Sequence, residues 1–160
     1  MSDRKDGLQT EIDTLQKHLA EPADECELCH RPGGEPLWED ALCRVVAVDD
    51  ADYPGFCRVV VKRHVREMTD LADAEQAALM RVVLAVEATL RKLCCPDKIN
   101  LASLGNLVPH VHWHVIPRWR DDRHFPQPIW GAPQRTASAP RAAVPRHELA
   151  GELRRRLGAG

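Results

Sequence analysis

Leu79, Val82, Val83, Val86, Leu90 and Leu93 recur at the three- and four-residue spacing of one helix face, with polar and small residues between them. This broad apolar stripe predicts the longest helix of the chain. Asp73 would cap it, Gln76 would act as the capping-box partner three residues on, and Pro96 would stop it. A second stripe, Leu8, Ile12, Leu15 and Leu19, predicts an amphipathic N-terminal helix ending near Pro22. Residues 21–37 are rich in Pro, Gly, Glu and Cys and should be irregular. Two β-rich runs, Cys43–Val48 and Phe56–Val61, flank a polar loop ending in Pro54-Gly55, which predicts an antiparallel hairpin. Ile99–Leu104 and His110–Ile116 read as two further strands, the second ending at Pro117. Residues 118–146 are rich in Arg and Pro without periodicity and predict a surface-wrapping tail, with a short helix over Glu148–Leu157.

Helix, hairpin, helix, strand, strand is a segregated order, which favours an α+β fold: an antiparallel β-sheet, a long helix packed on it and an irregular C-terminal tail. The pattern holds no internal repeat and no second domain. At 160 residues, 44% hydrophobic and 29% charged, one core is enough, since a chain of this size buries roughly 68–70% of its unfolded surface. No apolar run approaches the roughly 20 residues of a bilayer span. The charged start, Met1-Ser2-Asp3-Arg4-Lys5-Asp6, does not resemble a secretory signal, so a cytoplasmic location is expected. In that compartment the six cysteines point to metal binding, redox chemistry or burial rather than disulfides. A net charge of −2 argues against a general binder of nucleic-acid polymers. Small anions, which need only a local site, stay open.

The informative segment is Pro109-His110-Val111-His112-Trp113-His114-Val115-Ile116-Pro117. Side chains alternate along a strand, so His110, His112 and His114 would share one face about 6.6 Å apart, with Val111, Trp113 and Val115 on the core face. A neutral imidazole is a competent nucleophile near physiological pH and can also serve as acid, base or metal ligand. Phosphorus is a suitable electrophile, because catalysis there is mostly positioning and charge stabilisation. Metal chelation by the same row, or three partly exposed histidines without a role, would also fit the spacing.

His110-Val111-His112-Trp113-His114-Val115-Ile116 resembles the His-φ-His-φ-His-φ-φ signature (φ apolar) of the histidine triad (HIT) family of nucleotide hydrolases and transferases. Gly105-Asn106-Leu107-Val108 sits where that family commonly has Gly-Gln-Ser/Thr-Val, and Val59-Val60-Val61-Lys62-Arg63-His64 is similar to its strand leading into a Pro-Lys-x-His turn. The resemblance covers residues 24–119, between an N-terminal helical segment over 1–23 and a tail over 120–160. It implies a HIT-like fold and a nucleotidyl-histidine mechanism. His112 would attack the α-phosphorus, His114 would bond a phosphate oxygen and assist the leaving group, and His110 would orient the site or bind metal. Asn100 and Asn106 would contact phosphate or ribose. The Val-Pro-His and Val-Ile-Pro-Arg flanks look closer to the diadenosine tetraphosphate hydrolase-like branch than to the HINT-like one, which implies a purine dinucleoside polyphosphate as substrate. Nucleoside phosphoramidate hydrolysis is the alternative, and a nucleotide- or zinc-binding module without turnover is a third. Leu107, in place of the family's hydroxyl, weighs against phosphoramidates. Family members are usually dimers, so a homodimer is expected.

Cys26-Glu27-Leu28-Cys29 is a Cys-x-x-Cys, a spacing that can hold one Zn²⁺ and leave two tetrahedral positions. Zinc-bearing branches of the family complete such a set at the positions of His64 and His110, which implies a structural zinc clamping the N-terminal loop to the sheet. On the residues alone, His30 as a ligand or two buried thiols fit as well.

Overall fold

The structure is a computed structural model and describes residues 25–160. The helix predicted over 8–19 lies outside the described residues. In chain order the elements are α1 (Glu27–His30), β1 (Glu35–Glu39), β2 (Cys43–Ala47), β3 (Cys57–Val61), a 3₁₀ turn (Met68–Asp70), α2 (Asp73–Cys94), β4 (Lys98–Ala102), β5 (His112–Arg118) and α3 (Arg146–Leu157). The five strands form one antiparallel sheet in the order β1-β2-β3-β5-β4, so the fold is α+β as expected.

Strand register divides the sheet chemically. Val45 pairs with Val59 and Val59 with Trp113, so the two-residue alternation puts Cys43, Val45, Val59, Val61, Val111 and Val115 on one face. Leu79, Val82, Val83, Val86 and Leu90 of α2 join that face in one buried cluster. Each such side chain contributes roughly 1.5–3 kcal/mol by leaving water. The same register puts Arg44, Arg58, Val60, His112 and His114 on the opposite face. There α1 covers part of the sheet, with Leu28 and Cys26 packed on Val60. The hairpin between β2 and β3 turns at Gly55, whose φ is +97° and where an added Cβ would lie 2.7 Å from Cys94 Sγ. The turn therefore sits against the C-terminal end of α2, where a side chain would have to displace the Cys94 sulfur and adopt a strained φ.

Several boundaries differ from expectation. Residues 35–39 form β1, although the sequence reads as irregular through 37. Pro36 cannot donate to a ladder, which is tolerated in an edge strand and at the register shift between Pro36 and Trp38. Asp73 is the first helical residue rather than the cap; Ala72 precedes the helix, and the Glu75 carboxylate accepts its backbone N–H at 2.9 Å. Gln76 donates its side-chain N–H to the Leu71 carbonyl instead of closing a box with Asp73. The strand expected over 110–116 runs from His112 to Arg118, and β4 spans Lys98–Ala102 rather than 99–104. The terminal helix starts at Arg146 and buries Leu149 and Leu153 in the main core.

Between β5 and α3 the chain has neither helix nor strand, yet it is tied down. Arg118 and Asp122 are 1% and 0% exposed. Arg118 Nε and one terminal nitrogen donate to the two Asp122 oxygens at 2.6 and 3.0 Å. Asp122 also accepts the backbone N–H groups of Trp119, His124 and Phe125. Burial pushes the Asp122 carboxyl up, but Arg118 and these N–H groups outweigh it and hold the group below the usual carboxylate range. Removing one partner of such a pair strands a buried charge. Asp122→Ala should therefore cost about 3–5 kcal/mol, read as a fall in Tm of roughly 10 °C. A shift within about 2 °C would mean that the tail is not anchored through this pair.

Among the described residues no helix is long and apolar enough to cross a membrane.

Candidate functional site

His112 lies on β5, and its Nδ1 is 2.6 Å from the carbonyl oxygen of His110. A carbonyl can only accept, so Nδ1 carries the proton and Nε2 keeps its lone pair. Burial lowers the His112 pKa below the ordinary imidazole value; the bond to the His110 carbonyl opposes this and the Arg58 charge adds to it. His114 lies two residues on, its ring 4.8 Å from that of His112 and nearly edge-on to it. Trp130 from the tail and Phe56 flank His114 at 4.9 and 5.7 Å between ring centroids. His114 Nδ1 is buried and has no hydrogen-bond partner among the described residues.

Burial first, then His112 and Arg58, bring the His114 pKa down to about 4. The unfolded chain would take up this proton near pH 6.5 and the folded chain only near 4. Acid between those values therefore favours unfolding, and His114 is neutral throughout the range where enzymes usually work. In histidine-labelled protein followed by NMR, the His114 ring should titrate with a midpoint near 4. A midpoint near 6.5 would show a solvated ring.

His112 and His114 open into a cavity of about 390 Å³ that is also lined by Arg58, Asn106, Leu107 and Trp130, with Glu27 and Leu28 of α1 at one wall. That volume falls in the range of small-molecule sites. A larger space, about 840 Å³ between β1, α2 and α3, has no histidine among its described lining residues.

His110 does not reach this cavity. It is fully buried, and its Nε2 is 2.6 Å from the Val61 carbonyl. Nε2 must donate there, which leaves the lone pair on Nδ1, 3.4 Å from Cys26 Sγ and 3.5 Å from Cys29 Sγ. His64 Nδ1 is 3.3 Å from Cys29 Sγ, and the four ligand atoms all lie within 4.8 Å of one another. A tetrahedral ion with sulfur at about 2.3 Å and nitrogen at about 2.05 Å has S···N edges of about 3.6 Å. The donor set thus fits a metal ion. Burial, reinforced by Cys26, pushes the Cys29 thiol up to about 11, so its thiolate needs a neighbouring cation. The carbonyl bond on the far nitrogen of His110 is the arrangement that orients a metal-binding imidazole. His30, the other candidate ligand, is not in this cluster.

The predicted nucleotide contacts separate. Asn106 lies in the wall of the histidine cavity. Asn100 lines a different space beside Lys98, Pro126 and Pro128, and its side-chain oxygen accepts from Arg118 at 2.5 Å. Sequence reasoning did not find Arg58. Its signal was the alternation along Cys57–Val61, but only the β3–β5 pairing sets Arg58 opposite His114.

A family model described as HIT domain matches residues 35–121. An AP-4-A phosphorylase of Mycobacterium tuberculosis is 34% identical over 85 residues, 49% of this chain and 44% of that protein. A bis(5'-nucleosyl)-tetraphosphatase (asymmetrical) of Schizosaccharomyces pombe is 32% identical over 74 residues, 43% of this chain and 41% of that protein. The matched segment thus spans less than half the length of these curated relatives. A crystal structure of a histidine triad protein from Bradyrhizobium japonicum superimposes with a TM-score of 0.62 at 32% identity, covering 79% of this chain and 92% of that one. One from Sinorhizobium meliloti does so with a TM-score of 0.64 at 29% identity, covering 85% and 100%.

Proposed function

The chain belongs to the histidine triad family, and from that premise we propose that it cleaves dinucleoside polyphosphates at the α-phosphorus through a nucleotidyl-His112 intermediate. The observation that carries this reading is the bond from His112 Nδ1 to the His110 carbonyl, which leaves the Nε2 lone pair of a cavity-lining imidazole free.

The Nε2 lone pair attacks the α-phosphorus, a P–N bond forms, and the P–O bond to the remainder of the polyphosphate breaks. Neutral His114 beside it donates a hydrogen bond to a phosphate oxygen on the departing side. Water then adds at phosphorus, the P–N bond breaks, and His112 regains its lone pair as nucleoside monophosphate leaves. Asn106 in the cavity wall supplies an amide to the phosphate or ribose. The names of the mycobacterial and yeast relatives support a diadenosine tetraphosphate-like substrate. Zinc is the ion that suits a set of two sulfur and two nitrogen donors. Cys26, Cys29, His64 and His110 would hold it, and its contribution is structural: four closed positions leave no place for substrate.

Hydrolysis of diadenosine tetraphosphate in ¹⁸O-water tests the site of attack. Label in AMP and none in ATP is the expected result. Label in ATP would mean attack at another phosphorus. Tight nucleotide binding with no turnover of any substrate would identify a binding module instead.

A further inference from the structure

Two arginines stand on the site face of the sheet, and their donors are used differently. Arg44 is committed to main-chain carbonyls, with bonds to Pro32, Leu28 and Arg31 at 2.9, 2.5 and 3.0 Å. It is a brace for the α1 loop. Among the described residues Arg58 makes one hydrogen bond, from a terminal nitrogen to the Gly33 carbonyl at 3.1 Å. Its Nε is buried without a partner, and it forms no ion pair among the described residues. Glu27 is the carboxylate whose charge it feels, across the wall of the same cavity.

Arg58 is placed where an anion would sit. It pairs across the strands with His114 and lines the cavity into which His112 and His114 open. Both histidines are affected by its charge. The cavity therefore holds a fixed cation with unused donors beside two neutral imidazoles, one of which also has an unpartnered nitrogen. Guanidinium is the side chain best matched to phosphate oxygens, which it can bond in pairs. Arg58 is half-buried, its guanidinium 5.8 Å from the Phe56 ring centroid, and a partly desolvated cation with unused donors gains from a ligand that completes it; a phosphate ester supplies both the charge and the acceptors.

We infer that Arg58 is a substrate-binding residue that holds the non-bridging oxygens of the phosphate chain beside the phosphorus attacked by His112. The inference rests on the nucleotide reading above and adds to it a residue outside the histidine motif. Substrate anions would displace the influence of Glu27 and draw the free guanidinium nitrogens toward the histidines. Arg58 thereby selects for phosphorylated ligands over nucleosides.

The test compares AMP with adenosine as calorimetric probes of wild-type protein, Arg58→Met and Arg58→Lys. Methionine conserves much of the side-chain volume, and lysine keeps the charge without the fork. Loss of a charged hydrogen bond predicts roughly 10- to 100-fold weaker AMP binding for Arg58→Met. Adenosine binding should stay within about two-fold, and Arg58→Lys should fall between, since it keeps the charge but not the paired donors. Equal losses for AMP and adenosine would overturn the inference, by placing Arg58 against the base or sugar, or by showing that it only braces Gly33. Unchanged AMP affinity in Arg58→Met, with wild-type protein binding AMP, would overturn it while leaving the nucleotide reading intact. Wild-type protein that binds neither probe would overturn both.

Discussion

His112→Ala lowers turnover of diadenosine tetraphosphate on the order of 10³-fold or more, since loss of a covalent nucleophile leaves only the catalysis supplied by positioning and charge. The expectation follows from geometry. His112 is the histidine whose free nitrogen is fixed by a backbone hydrogen bond and whose ring also lines the cavity. His110 has its free nitrogen among thiols, and among the described residues His114 lacks a bond that would fix its tautomer. The ring of His112 does little for the core, because Val111 and Val115 on the other face carry the packing. Affinity for AMP should thus change only a few-fold, and Tm only by a few degrees. Steady-state kinetics beside calorimetry separates these effects. A variant that keeps more than about a tenth of wild-type turnover would remove His112 from the role of nucleophile.

Removing the metal should have a large effect on stability. Protein purified without chelator should carry about one zinc per chain, as a closed four-ligand site does. With free zinc a thousand-fold above its Kd, stripping it forfeits about 4 kcal/mol of linkage, or roughly 10 °C in Tm. Cys29→Ser should do the same permanently, because serine is a poor ligand for the ion and stays protonated. The structural consequence would be local first. Cys26 and Leu28 pack on Val60, and Glu27 and Leu28 form a wall of the cavity, so freeing α1 opens the histidine cavity. The pH dependence has a definite sign: the thiols and imidazoles must shed protons to bind, so zinc stabilises less as pH falls. A zinc content near zero in protein never exposed to chelator, with an unchanged Tm in Cys29→Ser, would mean that the cluster is held by thiol–imidazole hydrogen bonds alone.

What the sequence disclosed depended on how local the signal was. The alternation across His110–Ile116 already placed Val111 and Val115 in the core and the imidazoles on the other side. The stripe from Leu79 to Leu90 gave α2 and its buried face, all from side chains within a few residues of one another. β1 was hidden because Glu35, Pro36 and Glu39 are poor strand residues made tolerable by an edge position. Asp73 looked like a cap because Asp commonly is one, but the Glu75 carboxylate answers the N–H of Ala72 instead. At the site, the histidine spacing located one face but not the division of labour along it. His110 precedes the β5 ladder and turns into the Cys26, Cys29 and His64 cluster, while His112 and His114 face the cavity. Asn100, counted as a nucleotide contact by position, is held by the buried Arg118. Arg58 became visible only through the pairing of β3 with β5. Cross-strand neighbours are set by the whole fold, and no spacing along one strand contains them.

The most direct measurement is the trapping of the covalent intermediate. Wild-type protein mixed with diadenosine tetraphosphate labelled at the α-phosphate, quenched in alkali and digested, should yield an acid-labile, alkali-stable nucleotidyl adduct on the peptide bearing His112. The same experiment on His112→Ala should yield no adduct. An adduct on any other residue, or steady turnover with no labelled peptide at any time in the approach to steady state, would contradict attack by the His112 imidazole.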